Sequence, residues 1–241
     1  MEILYNSETT RVSVINKDTD HVYISFNGLT GESIGDEMAE VMEEFKSLAK
    51  NSTVFFVADK TMSWGNHLDW EAIVKVLRPY LKKKTITTVG LSMGGSNAIL
   101  ATQFFKVYKV IAFNPQYTIY PEFYPETEYL LWAEKIKSWR FKTIYSGFSK
   151  DTIYFLFWSS IHRPDTLFKG LFPTHADVFD FGHGCGHNIA GDLKANDKLA
   201  RLFELCETNN VKIIDNFVKE YTQNILSHSQ DTVPDKSCNN G

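Results

Sequence analysis

One serine, two loop histidines and a few well-spaced carboxylates hold the chemistry open to this chain. Ser92 sits in Gly90-Leu91-Ser92-Met93-Gly94, a G-x-S-x-G pentapeptide. The β-branched run Thr85-Ile86-Thr87-Thr88-Val89 precedes it, and residues 95–105 read as a helix that starts with small side chains. A strand, a sharp turn and a helix around a serine hold its backbone in a strained conformation and push the hydroxyl outward. Side chains two positions to either side would collide with the neighbouring strand or helix, so both must be glycine.

A serine hydroxyl attacks only when a histidine takes its proton, and a carboxylate must hold that histidine in the right tautomer. Around such a turn the chain order is serine, acid, histidine. Of seven histidines, His21 and His67 precede the serine, His162 and His175 precede the last strand or its approach, and His228 lies in the polar tail. His183 and His187 remain, in the loop Phe181-Gly182-His183-Gly184-Cys185-Gly186-His187-Asn188. His187 is the expected base because it abuts the next helix, with His183 as the alternative. Asp165 is the only carboxylate in the segment Ser159-Ser160-Ile161-His162-Arg163-Pro164-Asp165, after the strand predicted over 152–158, and is the expected acid. Its plainer reading is a helix N-cap before Thr166. Asp180 is the next candidate, and Asp177 could simply face solvent.

Stabilising a tetrahedral intermediate needs two backbone N–H groups. Met93 should supply one, and Gly28 or Leu29, in the loop after an early strand, the other. Asn27, Trp64, His67 and Gln116 are expected to line the substrate cleft, and His162 with Arg163 could hold an acidic substrate. Lys82-Lys83-Lys84 is explained by a helix C-terminus, where cations favour the dipole. His183, Cys185 and His187 lack the paired clusters of a structural zinc site, so no metal is expected.

The elements that must position these groups alternate. Strands are predicted over 12–15 and 22–26 (joined as a hairpin), then 54–58, 85–89, 107–113, 152–158 and 176–181. Helices are predicted over 36–50, 70–81, 95–105, 126–139, 189–206 and 211–226. Such alternation gives a mainly parallel sheet with helices on both faces and a site beyond the carboxyl ends of the strands. Residues 1–226 form one domain in this reading, and 227–241 a polar, disordered tail.

With 241 residues the chain can bury one good core, and its formal charge of -4 argues against nonspecific nucleic-acid binding. Three cysteines give no even disulfide framework, and the N-terminal residues lack the apolar run of a signal peptide. No apolar stretch is long enough to span a bilayer, so the expected compartment is the cytoplasm, including the inner face of the membrane.

The pentapeptide with Gly95, the Phe26-Asn27-Gly28 loop, Asp165 and His187 together resemble the α/β-hydrolase superfamily over residues 22–206. The chain departs from it in having no His-Gly-Gly-Gly oxyanion motif and little room for a large lid. The Asp59 to Trp64-Gly65-Asn66 stretch, Phe113-Asn114-Pro115-Gln116 and Gly186-His187-Asn188 resemble a narrower bacterial branch, the capsule and surface-polysaccharide O-acetyltransferases. That resemblance implies acetyl transfer from acetyl-CoA, through an acetyl-Ser92 intermediate, to a sugar hydroxyl. It also implies peripheral association with a polysaccharide-synthesis complex and no tightly bound cofactor. A carbohydrate esterase or deacetylase acting on small esters would use the same residues. A non-catalytic glycan-binding or export-accessory module is the alternative of another class.

Overall fold

The computed structural model describes residues 1–29, 43–124, 127–161 and 163–231; the side chains of 127, 163–165 and 228–231 lie outside that description, as does His162 entirely. The strands are β1 (Glu2–Asn6), β2 (Thr10–Ile15), β3 (His21–Phe26), β4 (Thr53–Asp59), β5 (Thr85–Leu91), β6 (Lys109–Phe113), β7 (Ile153–Trp158) and β8 (Asp177–Asp180). The helices are α1 (Trp70–Leu81), α2 (Met93–Leu100), α3 (Leu130–Ala133), α4 (Arg163–Lys169), α5 (Ile189–Ala195), α6 (Leu199–Glu207) and α7 (Val211–Asp231). Among the described residues the strands form one eight-stranded sheet in the order β1-β2-β4-β3-β5-β6-β7-β8. From β4 to β8 every pairing is parallel, while β1 and β2 run antiparallel at one edge.

A strand covered on both faces carries apolar side chains at every position, and β7 does so. Tyr154, Leu156 and Trp158 point into one core layer, and Phe155 and Phe157 into the other. The first layer is built with α1 and α2, the second with α5, α6 and α7. Helix α1 follows its sequence pattern closely: Asp69 caps it by accepting from the Ala72 N–H at 2.9 Å, and Trp70, Ile73 and Leu77 are buried.

Several expectations are corrected. The strands over 12–15 and 22–26 do not form a hairpin; β4 inserts between them, and the N-terminal hairpin is β1 with β2. The half-exposed β1 shows too weak an alternation to be read as a strand. The helix expected over 36–50 lies partly outside the described residues, and its described end is only a 3-10 helix, Lys46–Lys50, behind Phe45 at φ 57°. Residues 126–139 give a 3-10 turn, Thr127–Tyr129, and the single turn of α3. The helix expected over 189–206 is broken into α5 and α6, with Asp197 in the left-handed region. Helix α7 continues past Leu226 to Asp231, and the rest of the expected tail lies outside the described residues. No described helix is long and apolar enough to cross a membrane.

Candidate active site

Strand β5 ends at Leu91 and α2 begins at Met93, so Ser92 alone makes the turn, at φ 57° and ψ -124°. A β-carbon on Gly90 would lie 2.1 Å from the carbonyl carbon of Gly94, and one on Gly94 would lie 2.3 Å from the Phe26 carbonyl oxygen. Both contacts are with backbone, which cannot step aside. The strain is held by the sheet: Ser92 N–H donates to the Phe113 carbonyl at 2.8 Å, and Ser96 N–H to the Ser92 carbonyl at 3.1 Å. Met93 opens the helix, so its N–H belongs to the group that has no acceptor within the helix.

Beside this turn lies the loop after β3. Phe26 pairs with Gly90, and the Gly94 β-carbon position is 2.8 Å from the Asn27 carbonyl, so Asn27-Gly28-Leu29 packs onto the start of α2. The Gly28 N–H donates to Glu44 Oε1 at 2.9 Å. It is therefore occupied, and Leu29 is the other expected donor. The Asn27 side chain is also engaged internally, its Oδ1 accepting from the Asp59 N–H at 2.8 Å.

Asp59 in turn organises the 59–67 loop. Its Oδ2 accepts from the N–H groups of Ser63 and Gly65, both at 3.0 Å, and from Ser63 Oγ at 2.8 Å. Trp64 and Gly65 both take positive φ, at 50° and 79°. The folded loop buries Trp64 and delivers its indole N–H to Gln116 Oε1 at 3.0 Å. Gln116 Nε2 stands 3.1 Å from Ser92 Oγ. Gln116, expected at the cleft, is thus brought beside Ser92, with Trp64 bonded behind it. His67 is held farther along the loop, its Nδ1 3.2 Å from Thr61 Oγ1.

On the other side, the loop carrying the histidines is tied down residue by residue. Ser159 Oγ donates to the Cys185 carbonyl, and Gly186 N–H to Asp192 Oδ2 at 2.7 Å. Asn114 Nδ2 donates to the His187 carbonyl at 2.7 Å, and Asn188 caps α5 through the Gly191 N–H. Asn114 reaches this position because it leaves β6 at φ 41° while its N–H and Oδ1 bind the Phe157 carbonyl and the Ser159 N–H. His187 is half-buried, and His183 is exposed in a 3-10 turn. Burial pushes the Cys185 thiol up to about 12, so it is a packed, protonated thiol.

Asp165 is not in a loop. It stands in the first turn of α4, immediately beyond β7, and its side chain, like that of Arg163, lies outside the description. Asp180 has other partners: Ser160 Oγ at 2.7 Å, the Gly182 N–H at 2.8 Å and the Lys169 ammonium. Burial opposes its ionisation, but the hydrogen bonds from Lys169, Ser160 and Gly182 outweigh it and hold the carboxyl below its ordinary range.

Sequence reasoning missed Asn114 as the staple of the histidine loop and Glu44 as the partner of Gly28. An Asn-Pro pair directly after a buried strand was the available signal for Asn114. Nothing local marked Glu44, because its role depends on a loop folding across the sheet.

No family model matches the sequence, and no curated protein does at a significant level. Solved structures do. A capsule O-acetyltransferase of Neisseria meningitidis serogroup A is 13% identical, with a TM-score of 0.56 over 82% of this chain and 93% of that one. A mutant of that enzyme solved with CoA gives 0.57, at 13% identity over 81% and 93%. An esterase of Pyrococcus furiosus gives 0.56, at 17% identity over 86% and 88%. With the mainly parallel sheet, the helices on both faces and the strained serine between β5 and α2, these matches establish that the chain has the α/β-hydrolase fold.

Proposed function

We propose that the protein is a serine-dependent acyl-transfer enzyme that works through an acyl-Ser92 intermediate. The observation that carries this reading is Ser92 itself, forced to φ 57° at the head of α2 with two glycines that admit no side chain. Strain of this size persists only where the surroundings over-determine it, and it presents a hydroxyl at a helix N-terminus. In this reading His187 takes the Ser92 proton as Oγ attacks the acyl carbon. Asp165 orients the imidazole, and the oxyanion is met by the N–H groups of Met93 and Leu29. The proton passes from His187 to the leaving group as its bond to the acyl carbon breaks. An acceptor hydroxyl then gives its proton to His187, takes the acyl group, and leaves Ser92 to regain that proton. Asp165 is preferred over Asp180 because the latter's carboxylate already serves Lys169, Ser160 and Gly182.

The acceptor we assign is a carbohydrate hydroxyl of a bacterial surface polysaccharide, with acetyl-CoA as donor. Support comes from the likeness in fold to the meningococcal capsule enzyme, one structure of which holds CoA. The likeness to an esterase supports the second reading, in which water resolves the same intermediate. Incubation with acetyl-CoA, with and without an oligosaccharide acceptor, separates the two. Transfer predicts an acetylated Ser92 peptide and acceptor-dependent release of CoA; acetate release indifferent to any sugar would make the protein an esterase. Ser92→Ala and His187→Ala should each remove nearly all turnover, and the double variant should be hardly worse, because residues acting as one unit are not additive. Additive losses would contradict a shared role.

A further inference from the structure

We infer that Gln116 is a further catalytic residue, whose amide donates a hydrogen bond to the oxygen of the nucleophile and stabilises the charge that develops there. The inference rests on the acyl-transfer reading of Ser92.

The orientation of the amide follows from its neighbours. An indole N–H can only donate, so the group 3.0 Å from Trp64 Nε1 must be the carbonyl oxygen of Gln116. A backbone carbonyl can only accept, so the group 3.0 Å from the Asn114 carbonyl must be the Gln116 nitrogen. Two partners of opposite kind thus fix the same assignment. One Nε2 hydrogen goes to Asn114, and the other is left for Ser92 Oγ at 3.1 Å, with Tyr129 Oη farther off at 3.5 Å. Gln116 and Trp64 are both buried, so water does not compete for these groups.

The serine hydroxyl also lies 3.4 Å from Gln116 Oε1, a longer contact than the 3.1 Å to Nε2, so it can accept the Nε2 bond and turn its own proton from Oε1 to a base. When the proton goes to His187 and Oγ forms its bond to the acyl carbon, negative charge passes through Oγ. Charge passes through it again when the ester bond breaks and Oγ departs. A hydrogen bond to a charged oxygen is roughly twice as strong as one to a neutral oxygen. The Gln116 amide therefore binds the transition states more tightly than the resting enzyme, and it raises kcat rather than lowering KM. The backbone donors of Met93 and Leu29 act on the acyl carbonyl oxygen, a different atom. Trp64 is a positioning residue: its N–H holds the amide in the only orientation that aims a donor at Ser92. The loop ordered by Asp59 thereby acquires a catalytic purpose.

Labelling of Ser92 by a small fluorophosphonate tests this, since it needs an activated serine but no sugar or thioester site. Gln116→Met keeps the length and removes the donor, and should slow labelling and kcat by about 10- to 100-fold with KM little changed. Trp64→Phe removes the anchoring N–H together with part of the buried ring, leaves the Gln116 donor in place, and should slow labelling by a smaller factor. Rates are compared in samples that melt cooperatively. A wild-type measurement stands independently of how the variants fold: one slowly exchanging glutamine side-chain amide in the 15N spectrum should shift when Ser92 is labelled. Unchanged labelling in folded Gln116→Met with a raised KM for acceptor would make Gln116 a substrate-binding residue and overturn the inference. An unperturbed glutamine amide set on labelling would overturn it too. Failure of folded wild-type protein to label at all would instead remove the acyl-transfer reading, and this inference with it.

Discussion

At the scale of single residues, the groups around Ser92 are arranged by partners that can act in only one way. Gln116 has its amide orientation fixed by Trp64 and Asn114, and Gly28 has its N–H taken by Glu44. Glu44 is a conspicuous component. Burial pushes its carboxyl up to about 7, with the Gly28 N–H pulling the other way, and its Oε2 has no hydrogen-bond partner among the described residues. Glu43 and Arg11, which pair with each other, line the same small cavity as Glu44. Between pH 4.5 and about 7 the unfolded chain releases a proton that the folded one keeps, so stability falls as pH rises through that window. Glu44→Gln retains an oxygen for Gly28 and removes the buried charge. Its melting temperature should exceed the wild type's at pH 8, by an advantage on the order of 3 kcal/mol that vanishes near pH 4.5. A difference that is flat across this range would show that Glu44 does not titrate there.

Elements meet at the site through backbone contact, and that fixes which substitutions the fold can absorb. The start of α2 is pressed against the end of β3 and against its own strand, so Gly90→Ala and Gly94→Ala each force backbone apart. Each should lower stability by more than about 3 kcal/mol or abolish soluble expression. Gly95→Ala meets its nearest atoms at 3.2 Å and should be milder, while Gly170→Ala meets nothing within 4 Å among the described residues and should be nearly neutral. Urea denaturation of the four variants checks the order, and a neutral Gly94→Ala would contradict the packing described for the turn. Much of this was legible in advance. The glycine spacing, the β-branched run before it and the helix after it marked the turn because steric exclusion is local. The two-helix structure of 189–207 was not, since only a three-residue break at 196–198, with Asp197 left-handed, separates α5 from α6.

Across the whole molecule, the two ends of the parallel sheet do different work. The carboxyl ends of β3, β5, β6 and β7 carry the Gly28 loop, Ser92, Gln116 and the contacts to the His187 loop. The opposite end holds a partly buried polar cluster: Tyr23 donates to Glu207, His21 Nε2 meets Thr87 Oγ1 at 2.8 Å, and Lys109 donates to the Cys206 carbonyl. Burial lowers the pKa of both His21 and Lys109, and their neighbour Glu207 offsets this in part. The Tyr23 and Lys109 bonds join the sheet to the C-terminal end of α6. Tyr23→Phe removes one of them and should lower stability by about 1 kcal/mol, or about 2–4 °C in melting temperature, with turnover unchanged. Melting and activity assays on the same sample check this, and a parallel loss of turnover would show that the two ends are coupled.

By itself the sequence determined the parts of this protein governed by near neighbours in the chain: the strained serine turn, the extent of α1, the fully apolar β7 and the alternation that implies a mainly parallel sheet. Periodicity and steric exclusion act over a few residues, so they can be read directly. Only the tertiary structure decided which strands pair, because β4 enters between β2 and β3 from more than twenty-five residues away. It also decided that Asn114 holds the His187 loop, that Asp180 serves Lys169, and that the Asp59 loop carries Trp64 to Gln116 and Gln116 to Ser92. Such contacts join residues remote in sequence through single hydrogen bonds. No local pattern announces them, since their strength arises only once folding has excluded water from both partners.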